Sequence, residues 1–159
     1  MSITTTKGIT VAGWCLLGAV AVTVVASLLP WYSITIFGLT ATANAWNSFW
    51  WLPIVVAIGV AVVYLLGALN GTRLPRMALP IAALISFVLT LIILIDILVE
   101  GTDAVRLGDS GPLGGGDTLA SSGPSFGLFL ALIATGAMTY FAAVAAREGG
   151  ANLPFRFRR

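Results

Sequence analysis

The chain has 159 residues, 58% of them apolar and 9% charged, with a formal charge of +2 and a mean hydropathy of +1.02. Soluble domains carry roughly 25% charged residues, so an ordinary water-soluble domain is excluded, and the length holds about four spans of ~20 residues. Histidine is absent, which removes the commonest general base and metal ligand; a non-enzymatic chain without cofactor or metal is expected.

The fold expected is an all-α integral membrane protein. It is a single membrane domain over 1–159, a four-transmembrane-helix bundle with a short hairpin-like first outer loop. The first span is predicted over 9–29, ending before Pro30. Lys7 precedes it as in a secretory signal. Its apolar core is longer than the usual ~7–15 residues and no A-x-A site directly follows, so it reads as a retained helix. Cys15, the single cysteine, lies inside this span and reads as a small packing residue.

The first outer loop is predicted over 30–49. The stretch 29–53, LPWYSITIFGLTATANAWNSFWWLP, holds four of the five tryptophans and no charged residue. Ser33-Ile34-Thr35-Ile36 and Leu39-Thr40-Ala41-Thr42 alternate as strands do, joined through Phe37-Gly38, which predicts a hairpin with Gly38 in the turn. An isolated hairpin is marginal in water, so it needs support. Trp31, Tyr32, Trp46, Trp50 and Trp51 gather at the span ends, where aromatic rings favour the headgroup region. Two compatible readings follow. The aromatics form an interfacial belt and cap, or they dock a partner, with Trp31, Tyr32, Ile34, Ile36, Phe37, Trp46, Trp50 and Trp51 as contact candidates.

The second span is predicted over 50–69, closed by NGTRLP, and a cytoplasmic loop follows over 70–76. The third span is predicted over 77–99. Pro53 and Pro80 fall in first helical turns, where a missing N–H costs little. A second outer loop, EGTDAVRLGDSGPLGGGDTLASSGPS over 100–122, reads as a flexible linker. Asp103, Asp109 and Asp117 do not match a calcium-loop spacing. GPLGGGD lacks the Lys and Ser/Thr of a phosphate-binding loop. The fourth span is predicted over 123–146, closed by REGG, and a tail covers 147–159.

Small residues recur at every fourth position: Cys15, Ala19, Thr23 and Ser27; Ala82, Ser86 and Thr90; Gly127, Ala131, Thr135, Thr139 and Ala143. Such stripes let helix backbones approach closely and predict the bundle seam, or a seam offered to another protein. Asp96 is the acidic residue placed within a span, and Glu100 shares its face. They read as a hydrated pair near the outer end rather than a proton relay, which needs further ionisable groups at depth.

Orientation follows from charge. Lys7, Arg73, Arg76, Arg147, Arg156, Arg158 and Arg159 fall on one side of a four-span layout and Arg106 on the other. The positive-inside rule then puts both termini in the cytoplasm of a multi-pass plasma-membrane protein. Arg73, Arg76, Arg156, Arg158 and Arg159 are candidates for contact with anionic phospholipids. The tail NLPFRFRR alternates aromatic and basic residues as a surface anchor does. These basic residues flank apolar segments, so no nucleic-acid partner is expected.

A β-like, tryptophan-bearing segment between spans one and two resembles the layout of claudin-type membrane proteins. That family pairs the tryptophan with two cysteines in the loop; none is present here, so the resemblance implies topology and no junction function. The phrase LLPWYS and the Ala/Gly/Val/Thr-rich helices are similar to small four-span membrane proteins of actinobacteria. Some proteins of that kind are accessory subunits of respiratory supercomplexes. The resemblance implies a bacterial plasma membrane and larger integral membrane subunits as partners. The function expected is therefore a non-catalytic accessory or assembly subunit of a membrane complex, a respiratory one by that resemblance. The alternative is a small homo-oligomeric transporter or lipid-handling protein, which requires a lined cavity near Asp96 and Thr90.

Overall fold

A computed structural model describes residues 9–36, 39–70, 77–109 and 120–148 of the chain. Four helices carry the architecture: α1 over Val11–Leu28, α2 over Leu52–Asn70, α3 over Ala78–Asp109 and α4 over Phe126–Glu148. Each contains a segment long and apolar enough to cross a membrane. Three strands, β1 over Pro30–Ile36, β2 over Leu39–Asn44 and β3 over Ala120–Pro124, form one antiparallel sheet in the order β2-β1-β3. The sheet sits where α1 ends and α4 begins, so the first and last described residues lie at the opposite end of the bundle.

The helices pack with small residues inward. On α1 the buried positions are Ala12, Gly13, Leu16, Ala19, Val20, Thr23, Ala26 and Ser27, a single stripe at spacings of three and four. It meets the stripe of Gly127, Leu128, Ala131, Ala134, Thr135, Met138, Ala142 and Ala146 on α4. Large residues point outward instead, among them Trp14, Val25, Ile58, Ile85, Ile92 and Ile133. Lipid is as apolar as leucine, so burial of large side chains gives no drive between helices there. Close backbone approach and dispersion do, and they favour small residues at the seam.

Gly127 marks a close approach to backbone. A Cβ at this position would lie 2.7 Å from the Pro30 carbonyl oxygen and 2.8 Å from the Leu29 Cβ. Only glycine lets the first turn of α4 slide against the elbow between α1 and β1.

The buried threonine hydroxyls are satisfied within their own helices. Thr23 donates to the Ala19 carbonyl at 2.9 Å, Thr90 to Ser86 at 2.9 Å and Thr135 to Ala131 at 2.8 Å. Ser86 differs, donating from α3 to the Pro53 carbonyl of α2 at 2.8 Å.

The structure corrects the linker expected over 100–122. Helix α3 continues to Asp109, about 13 Å past Glu100 at 1.5 Å per residue, so Asp103 and Asp109 belong to a helix. Ala120–Pro124 is a strand paired with β1 from Tyr32↔Pro124 to Ile36↔Ala120. The fourth helix accordingly starts at Phe126, three residues later than expected.

Candidate functional site: the aromatic cap

The hairpin forms in the register its alternation dictates, with Ile36↔Leu39, Thr35↔Thr40 and Ile34↔Ala41 paired. Phe37 and Gly38, the expected turn, lie outside the described residues. Tyr32 and Ala43 pack on the helix-end core, so their face of the sheet looks inward. Thr35 and Thr40 belong to the other face, and their hydroxyls bond across the strands at 2.9 Å.

The register slips between Pro30 and Tyr32, a bulge that leaves Trp31 without a partner across the ladder. Bulges re-aim side chains, and this one turns Trp31 into the bundle. Its ring is fully buried among Ala26, Ile54, Ile97 and Leu128. Its indole N–H donates to the Ala26 carbonyl at 2.8 Å, and its own carbonyl accepts from the Ser125 N–H at 2.8 Å. Trp31 therefore joins α1, β1 and the entry to α4. As an exposed partner contact it is ruled out by burial; it is the anchor of the cap.

Trp50 is likewise buried, packed edge-on against Tyr32 with centroids 6.4 Å apart. It too offers no free surface. Its indole N–H and the Ser122 hydroxyl are buried without a hydrogen-bond partner among the described residues.

Trp46 is different. Half of it is exposed (50%), yet it is held at two points. Its backbone N–H donates to the Asn44 side chain at 3.1 Å, and its indole N–H to the Ser27 hydroxyl at 3.2 Å. The Ser27 hydroxyl in turn donates to the Val24 carbonyl at 2.6 Å. Trp46 sits in a short 3-10 turn, Ala45–Asn47, which packs on a second, Phe49–Trp51; exposed Phe49 (60%) and Trp51 (40%) belong to the second, and exposed Leu52 (40%) opens α2 directly after it. Ile34 is half-buried in the sheet, while Ile36 and Leu39 are exposed at the hairpin tip.

Comparison with protein-family models, curated proteins and solved structures finds no match for this chain. Its chemistry is therefore read from its own geometry.

Asp96 is half-buried and Glu100 exposed. Ile97 beside Asp96 packs with Trp31 and Leu128, which sets this carboxylate at the sheet end of the bundle, not at its middle. Thr90 is fully buried and its hydroxyl is bonded within α3. Among the described residues no group of three His, Cys, Asp or Glu gathers. Arg73, Arg76, Arg156, Arg158 and Arg159 lie outside the described residues. Arg147 stands in the last turn of α4, at the end away from the sheet.

Sequence reasoning missed three contributors. Phe49 and Leu52 were hidden by their aromatic and apolar neighbours, although SFWWLP is an unusual helix entry. In sequence the Ser27 hydroxyl looks only like a small seam residue; its place in the last turn of α1, beside a tryptophan-rich loop, is the available signal.

Proposed function

We propose that this chain is an accessory or assembly subunit of a larger membrane complex, docked through its aromatic cap. The sheet end faces outward and both termini face the cytoplasm of a bacterial plasma membrane, in keeping with the one-sided basic residues of the sequence. The sequence resemblance makes a respiratory complex the kind of assembly to look in first.

The carrying observation is Trp46, a half-exposed ring immobilised by Asn44 and Ser27. A tryptophan fixed before binding loses little conformational entropy on docking, and tryptophan is the commonest interface hot spot. Phe49, Trp51 and Leu52 extend the same apolar surface. Phospholipid headgroups flank it.

The test is co-purification from the source membrane with wild type and Trp46→Ala. Loss of one hot spot costs about 2 kcal/mol, and each 1.4 kcal/mol is tenfold, so partner recovery should fall at least about tenfold. Membrane insertion should be unchanged, because Trp46 lies outside the four apolar spans. Equal recovery would remove the cap from the interface.

A further inference from the structure

β2 is an open edge. It borders β1 on one side only, and its residues Leu39, Thr40, Ala41 and Thr42 are all exposed. Exposed edges are normally guarded by lysine, proline, a bulge or a covering segment. LTATAN carries no charge and no proline, and its pairing with β1 is regular from Leu39 to Ala43.

One backbone bond fixes the parity of the ladder. The Trp31 carbonyl bonds Ser125, at the β3 side, so the odd residues of β1 turn their backbone groups toward β3. The even residues Tyr32, Ile34 and Ile36 then bond β2, through Ala43, Ala41 and Leu39. Thr40 and Thr42 are left with N–H and C=O pointing away from the sheet.

Resting on the accessory-subunit reading, we propose that the β2 edge accepts an extended, uncharged strand of the partner polypeptide, paired to Thr40 and Thr42. Only an extended backbone presents donors and acceptors at the two-residue spacing these groups require. The whole stretch 29–53 is free of charge, so a charged strand would be desolvated without a counter-ion, and a neutral one is not. The hydroxyl face of β2 selects β-branched or hydroxylated residues opposite it.

A second copy does not fit. β1 leaves the helix ends at Trp31 and β3 returns to them at Pro124 alongside α3, so the strands run along the bundle axis. Two copies inserted alike are related by an axis along the membrane normal, which sets their β2 strands parallel. A parallel ladder needs the bonding residues of the two strands offset by one. A two-fold places them level.

Amide exchange at Thr40 and Thr42 tests this, read residue by residue in source membranes and in vesicles of purified phosphatidylethanolamine and phosphatidylglycerol. In source membranes the Thr40 amide should exchange at least about 100-fold more slowly than in the vesicles. Thr42→Pro should abolish that protection and leave the Ala41 and Ala43 amides protected, because the proline removes only an outward N–H. Thr42→Val should behave as wild type. Protection in both membranes would mean that lipid or a second copy covers the edge, and free exchange in both would mean that nothing does; either overturns the inference. If Thr40 exchanges freely while larger subunits still co-purify, the strand pairing fails and the accessory reading stands.

Discussion

The Trp46 indole N–H lies 3.2 Å from the Ser27 hydroxyl, tying the loop before α2 to the last turn of α1. That bond couples a buried seam residue to an exposed ring. Ser27→Ala should therefore loosen the cap without unseating the bundle. A lost hydrogen bond costs about 1 kcal/mol, so the melting temperature in detergent should drop slightly. Fluorescence anisotropy of Trp46, with the other tryptophans replaced by phenylalanine where the fold tolerates it, should fall clearly.

Gly127→Ala is expected to be far more damaging than its size suggests. The new methyl meets the Pro30 carbonyl and Leu29 backbone, neither of which is free to swing away. Overpacking costs about 1–3 kcal/mol. Gly18 and Gly59 face open space, so alanine there should change stability by no more than about 1 kcal/mol. Unfolding in graded denaturing detergent ranks the three.

Trp31→Phe keeps most of the buried ring and loses the bond to the Ala26 carbonyl. It should cost about 1–2 kcal/mol, and Trp31→Ala about 3–5 kcal/mol. Because the Trp31 ring seats β1 on the helix-end core, the alanine variant should also speed amide exchange in β1 and in its partner β3.

Asp96→Asn separates the accessory reading from a transporter. The carboxylate sits at the level of Trp31, Ile97 and Leu128, at the sheet end of the helices. The substitution should leave partner recovery unchanged and stability within about 0.5 kcal/mol. A loss of flux in a vesicle assay would favour the transporter instead.

The four spans and the hairpin were legible because both rest on local signals: unbroken apolar length, and period-two alternation bounded by Phe37-Gly38. β3 was not. Ala-Ser-Ser-Gly-Pro has no β-branched residue, and its extended form comes from pairing with β1, a tertiary effect. The extension of α3 was hidden by Gly101, Gly108 and the separate aspartates Asp103 and Asp109, which read as a loop. Trp31 and Trp46 looked alike in sequence. A one-residue bulge buries the first, and a 3-10 turn presents the second; neither has a composition signature.

The most direct test of the account is native mass spectrometry of the chain, tagged at its N-terminus and extracted gently from its source membrane. The account predicts an assembly with larger, unrelated integral subunits that Trp46→Ala dissociates. A lone monomer, or a closed ring of identical copies indifferent to Trp46→Ala, would contradict it.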